Sequence, residues 1–137
     1  MSRAKRHYEP VSLMMMDIDY FKDINDNYGR PGGDVVLQAV AKIISAQCRE
    51  EDIAARFGAE EFVILYDHCD LKDAQVKAEN YRLLIEEAKP KQITVTSSFG
   101  VAQMKPEGEM VDDLIKRADL AFYQAKENGR NQVVVAD

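Results

Sequence analysis

Ile53-Ala-Ala-Arg-Phe-Gly-Ala-Glu-Glu-Phe-Val-Ile-Leu-Tyr66 is the stretch on which the fold turns. Two short strand-like runs, Ile53 to Phe57 and Glu61 to Tyr66, flank Gly58-Ala59 and predict a β-hairpin with a tight turn. Upstream, Val11 to Met16 is a continuous apolar run of strand length that ends at Asp17. Asp19-Tyr-Phe-Lys-Asp-Ile-Asn25 then starts a short helix with an acidic first turn. Gly29-Arg-Pro-Gly-Gly33 reads as a loop, and Asp34 stands where an N-cap would be. Apolar positions 36, 37, 40, 43 and 44 have helical spacing, which predicts a helix over 35–48. Downstream of the hairpin, Leu71 to Ala88 is a helix ended near Pro90. Ile93 to Val101 is a β-branched strand, and Val111 to Lys126 is a helix closed by Asn128-Gly129. Gln132 to Val135 is a last short strand. The order β-α-α-β-β-α-β-α-β, with its central hairpin, predicts an α/β (α+β sandwich) fold: a mainly antiparallel five-stranded sheet flanked by helices.

The 137 residues suit one domain, and 46% hydrophobic content is enough for a real core. The formal net charge of −6 argues against sequence-independent binding to DNA or RNA, which needs a basic face. It leaves open a nucleotide, because a triphosphate bound with metal accepts carboxylate ligands. Cys48 and Cys69 belong to no Cys-x-x-Cys pair, so they read as reduced thiols of a cytoplasmic protein. No apolar run approaches the roughly 20 residues of a membrane span. Arg3, Lys5 and Arg6 are not followed directly by an apolar stretch, so no secretory leader is expected. Residues 2–8 are polar and read as the end of a helix that Glu9-Pro10 breaks. His7 and His68 show no metal or triad spacing and read as surface residues. Neither a Ser-His-Asp arrangement nor a Walker motif is visible. Met14, Met15 and Met16 read as core filling.

Asp17 and Asp19 end a buried strand, while Glu60 and Glu61 lie at the hairpin turn. Carboxylates at strand ends and turns of one sheet can converge on an edge and suit Mg²⁺ or Mn²⁺, which keep waters and phosphate oxygens in their shell. Taken singly the same acids are solvated turn residues, and both readings stand at this point. Gly58-Ala59 either lets backbone approach a ligand or is a plain turn. Lys126 and Arg130 flank Asn128-Gly129, either to bind phosphate oxygens or to compensate the helix dipole. Asn25 and Asp34 either accept from the N1 and N2 donors of guanine, a donor pair adenine lacks, or cap helices.

Five segments resemble, in order and spacing, the GGDEF diguanylate cyclase family. Asp17-Ile-Asp-Tyr-Phe-Lys-Asp-Ile-Asn-Asp-Asn-Tyr-Gly29 resembles its first signature, and Gly33-Asp34 the end of its Gly-His-x-x-Gly-Asp loop. Arg56-Phe-Gly-Ala-Glu-Glu-Phe62 is similar to the hairpin that names the family. Thr94-Val-Thr-Ser-Ser-Phe-Gly-Val-Ala102 and Ala118-Asp-Leu-Ala-Phe-Tyr-Gln-Ala-Lys-Glu-Asn-Gly-Arg-Asn131 resemble its later signatures. The resemblance implies a nucleotide-cyclase, polymerase-palm-like domain over 11–137, with 1–10 the remnant of an upstream helix. It implies condensation of two GTP into cyclic di-GMP with Mg²⁺ (or Mn²⁺), each 3′-hydroxyl attacking the other's α-phosphate. Asp17 and Glu60 would hold the metals and carry the catalysis, with Glu61 assisting and the Ile18 carbonyl contributing. Asn25 and Asp34 would bind guanine, Gly58 and Ala59 would lie along the nucleotide, and Lys22, Lys126 and Arg130 would neutralise phosphates. Each domain holds one GTP, so a homodimer is implied. Arg49-Glu-Glu-Asp52 resembles the family's Arg-x-x-Asp site for inhibition by its own product.

The sequence also departs from the pattern. Ala59 replaces a glycine and would be strained at positive φ. Arg30 stands for a histidine, and Asn80 is near the place of a second arginine in the product site. The Asp-x-Leu-Thr-Gly-Leu-x-Asn-Arg segment is absent before the first strand, which implies an excised domain of low activity and an upstream sensory or receiver domain. The competing expectation is a catalytically impaired effector module that binds GTP or cyclic di-GMP. Asp17, Glu60, Glu61, Lys126 and Arg130 favour the enzyme over it. A ligand-free dimerisation module leaves the five spacings unexplained.

Overall fold

Asp17 owes its position to a strand buried along its whole length. In a computed structural model, which describes residues 9–136, strand β1 (Ser12–Ile18) is buried along all seven residues. It lies in the middle of a five-stranded sheet of order β2-β3-β1-β4-β5. Here β2 is Ile53–Arg56, β3 is Glu61–Tyr66, β4 is Ser97–Gln103 and β5 is Val133–Val135. β1 pairs antiparallel with β3 and β4, β2 pairs antiparallel with β3, and only β5 runs parallel to its neighbour β4.

A strand buried on both faces needs apolar residues at every position rather than at every second one. The methionine run supplies them. Met14, Met16 and Ile18 point to one face, where Val36, Val40 and Ile44 of α1 (Phe21–Gln47) and Ala74, Ala78, Tyr81 and Ile85 of α2 (Leu71–Ala88) cover them. Leu13 and Met15 point to the other, under Leu114, Ala118 and Phe122 of α3 (Val111–Glu127). The result is helix, sheet, helix in three layers. Each large aliphatic side chain so buried contributes about 1.5–3 kcal/mol. α3 comes especially close to the sheet at Gly100, where an added Cβ would lie 2.2 Å from both the Ala118 carbonyl oxygen and the Phe122 nitrogen.

Three expectations change. The two helices expected around residues 29–33 run as one element, α1, broken only at Gly29 (φ 74°, ψ 172°). Pro31 follows in the first turn after the break, where a missing N–H costs nothing, so residues 30–33 are helical and Asp34 sits within the helix rather than capping it. The strand expected from Ile93 begins at Ser97 instead. β1 ends at Ile18, opposite Ser97, and one further bond, from the Asp19 N–H to the Thr96 carbonyl at 2.9 Å, closes the pairing. Ile93 and Val95 are nonetheless buried, after a 3₁₀ turn at Pro90–Gln92. The hairpin strand β2 stops at Arg56, one residue before the expected end. The expected helix remnant over 1–10 and His7 fall largely or wholly on residues 1–8, outside the described residues; Glu9 and Pro10 lie in neither helix nor strand. His68 is a surface residue that pairs with Glu9 and Asp67. Both cysteines are free, and no helix among the described residues is long and apolar enough to cross a membrane.

Candidate active site

The C-terminal end of β1 meets the hairpin and the end of α3 at one corner of the sheet. Asp17 stands opposite Glu61 of β3 and Ser98 of β4, and the Ile18 N–H donates to the Glu60 carbonyl at 3.3 Å. The last turn of α3 delivers Lys126, whose Nζ lies 2.9 Å from Asp17 Oδ2 and 5.0 Å from the Phe122 ring centroid. The Asp17 side chain is buried, and its Oδ1 has no hydrogen-bond partner among the described residues. Burial pushes its pKa up to about 6; the Lys126 hydrogen bond and charge oppose this, and the charges of Asp19 and Glu60 add to it.

Asp19, two residues on, is equally buried but fully used. Ser98 Oγ donates to its Oδ1 at 2.6 Å, and Thr96 Oγ1 and the Asn131 N–H donate to its Oδ2 at 2.8 and 3.0 Å. It therefore drops out of the expected carboxylate cluster. Its bonds hold the loop after α3. That helix ends in a Schellman motif: the Arg130 N–H bonds the Ala125 carbonyl, the Gly129 N–H bonds the Lys126 carbonyl, and Gly129 has φ 116°. Arg130 and Asn131 then both adopt left-handed backbone (φ 62° and 51°), at a cost of about 1–3 kcal/mol each. The Arg130 guanidinium lies 4.8 Å from the ring centroid of Tyr20, itself left-handed at the start of α1.

At the hairpin turn the Phe57 N–H bonds the Glu61 carbonyl at 2.9 Å. Arg56 donates to the Ala59 carbonyl and lies 5.7 Å from the Phe62 ring centroid. Neither Gly58 nor Ala59 has positive φ, so the strain expected at Ala59 is not there. Glu60 and Glu61 are half-buried at this turn. In α1, Asn25 folds onto Gly33, where a Cβ would sit 1.9 Å from Asn25 Oδ1. Only glycine leaves that space, and Asp34 follows it, exposed. Lys22 is turned to solvent and pairs with Asp26 at 3.5 Å. At the other end of α1, Arg49 and Asp52 are joined: the Arg49 N–H and Nη2 donate to Asp52 at 2.8 and 3.4 Å, and Nη2 also reaches the Asp67 carbonyl. Arg49 borders a cleft of about 250 Å³ with His68, Asp73 and Lys77.

Among the described residues no three acidic, histidine or cysteine side chains converge as a ready-made metal cage. The donor set still fits Mg²⁺ or Mn²⁺, because such ions bind through one or two carboxylates plus substrate phosphates. Asp17 offers one buried oxygen without a donor, and Lys126 already places a cation beside the other. A basic end of α3, acids at the strand end and a turn with accessible backbone can together hold a metal-bound triphosphate. Sequence reasoning missed the parts that hold this corner in shape: Thr96, Ser98, Asn131, Arg56 and Tyr20. Their only sequence signal was membership of the quoted motifs.

The chain matches the family profile described as "Diguanylate cyclase, GGDEF domain" over residues 1–132. It is 42% identical over 132 residues to "Diguanylate cyclase A" of Treponema denticola, covering 93% of this chain and 36% of that protein. It is 39% identical over 138 residues to "Response regulator PleD" of Caulobacter vibrioides, covering 96% of this chain and 30% of that one. The chain thus spans about a third of the length of these curated relatives. Among solved structures, the active GGEEF domain of a diguanylate cyclase from Vibrio cholerae superposes with a TM-score of 0.91 at 33% identity, covering 99% of this chain and 88% of that one. The GGDEF domain of DgcB from Caulobacter crescentus, solved in complex with c-di-GMP, superposes with a TM-score of 0.89 at 31% identity, covering 99% and 81%.

Proposed function

Because the chain belongs to the GGDEF family of diguanylate cyclase domains, we propose that it condenses two GTP into cyclic di-GMP. In each half of the reaction a 3′-hydroxyl oxygen bonds to the α-phosphorus of the other GTP. The α–β bond breaks, pyrophosphate leaves, and the hydroxyl proton is lost. The observation that carries this is the buried Asp17, with one oxygen unpartnered and the other on Lys126, set against the Glu60 hairpin.

Asp17, Glu60, Glu61 and the Ile18 carbonyl are the groups that would hold Mg²⁺ or Mn²⁺. The metal, when bound, supplies charge neutralisation at the phosphates. Asn25 and Asp34 accept from the Watson–Crick donors of guanine. Gly58 and Ala59 carry backbone along the nucleotide, and Lys22, Lys126 and Arg130 neutralise phosphate charge, Arg130 through its fork. Alignment and charge stabilisation supply most of such catalysis. Each domain offers one GTP site, so two copies must face each other, and a sensory or receiver domain upstream would bring them together. Arg49 and Asp52 are proposed to bind the product and inhibit. Product must then replace the pair they make with each other. Drawing on the GTP pool places the domain in the cytoplasm.

The test is incubation of concentrated domain with GTP and Mg²⁺ or Mn²⁺, followed by chromatography for cyclic di-GMP. Product is expected from the unaltered chain, with a loss of at least about a hundredfold for Glu60→Gln. GTP binding without product, even from a forced dimer, would reassign the domain as an effector.

A further inference from the structure

Resting on the GTP reading above, the geometry points to Asp19 as a positioning residue for the phosphate-binding arginine: we propose that its carboxylate, through the Asn131 N–H, fixes Arg130 in the orientation that grips the terminal phosphates. The carboxylate is 2% exposed. Among the described residues it pairs with no cation, and the donors to its side chain come from residues far along the chain: Thr96, Ser98 and the backbone of Asn131. Ser98 Oγ also accepts from the Asn131 N–H at 3.2 Å, so this one amide is shared between the two groups.

That amide joins two consecutive left-handed residues, Arg130 and Asn131, neither of them glycine. Such backbone persists only where its surroundings over-determine it, and here they do so from every side. The Arg130 N–H is held by the Ala125 carbonyl, and the Arg130 carbonyl accepts from Gln132 Nε2 at 3.0 Å. The Asn131 side chain accepts from Arg82 Nη1 and donates to Glu86 Oε2, each at 3.0 Å, which ties it to α2. These bonds hold the backbone of Arg130 in place, and its guanidinium is presented over Tyr20 at the start of α1. An arginine held in this way loses little side-chain freedom when it meets a phosphate.

The affinities of the 137-residue chain for GTP and for GMP, measured by calorimetry with Mg²⁺, test this, because only GTP carries the phosphates Arg130 would reach. Asp19→Asn is expected to weaken GTP about tenfold, to leave GMP within about twofold, and to add nothing to an Arg130→Ala background. Since removing a buried charge can unfold the chain, Ser98→Ala is the second variant. It keeps the Asp19 carboxylate but removes its Oδ1 donor and the second acceptor of the Asn131 N–H, and it is expected to weaken GTP more than GMP while the chain still melts cooperatively. Equal weakening of GTP and GMP, or losses from Asp19→Asn and Arg130→Ala that multiply, would overturn the proposal. So would unchanged GTP affinity in Ser98→Ala. A parent chain that binds neither nucleotide would remove the GTP reading itself, and the inference with it.

Discussion

Asp17 and Asp19 stand two residues apart on one strand, and their environments divide the work between them. Asp17 keeps an oxygen without a donor in a buried place, so its charged form is disfavoured by burial even with Lys126 at the other oxygen. The pKa is raised from 3.8 to about 6. Below about pH 4 the carboxyl is neutral in both folded and unfolded chains and carries no penalty. Between about pH 4 and 6 the unfolded chain loses its proton while the folded chain retains it, so stability falls as pH rises, and above about 6 the loss is complete. Asp17→Asn should therefore melt higher than the parent in EDTA. The advantage should be absent near pH 4 and reach on the order of 1–3 kcal/mol above pH 6. Thermal melts across that range check this, and an advantage that shrinks with rising pH would contradict it. In the sequence the two aspartates look alike. What separates them is donors 77, 79 and 112 positions away from Asp19, and no local pattern reports those. The expected strain at Ala59 failed for a related reason: the loop after Arg56 has a backbone path that needs no left-handed residue, and a glycine in a motif does not by itself specify φ.

At the level of elements, periodicity located nearly everything and misjudged ends. The methionine run, the hairpin and the three amphipathic helical patterns all appear as elements. The errors lie where an element ends because its neighbour ends, as β4 does opposite Ile18, or where one glycine substitutes for a whole loop, as in α1. Gly100 is the tightest junction. A methyl there would meet the backbone of α3 at 2.2 Å on two atoms, and a helix backbone cannot yield as a flexible side chain can. Gly100→Ala should cost about 3 kcal/mol, lowering Tm by roughly 10 °C in differential scanning calorimetry. A change under 2 °C would show that α3 can lift off the sheet. Because α3 also carries Lys126 and leads into Arg130, nucleotide binding should weaken in the same variant.

For the molecule as a whole, the proposed reaction between two GTP molecules would make activity a property of pairs. Turnover per chain of the isolated domain should be low and rise with its concentration. Joining two copies through a parallel coiled coil should raise it about tenfold or more at ~1 µM, through effective concentration alone. A rate per chain independent of dilution would contradict this. The sequence points to the proposed partner only through the motifs, with no periodic signature of its own. The central place of β1 has a consequence for biosynthesis. The first strand made is the one both neighbours need, yet its register partner for Ser12 on the far side is Gln103, which leaves the ribosome about 90 residues later. At 5–20 residues per second, Leu13-Met-Met-Met16 waits roughly 5–20 s without its sheet. Such a segment would gain from a holding chaperone until its partners emerge, so the soluble yield should respond more to translation speed than to the stability of the finished fold.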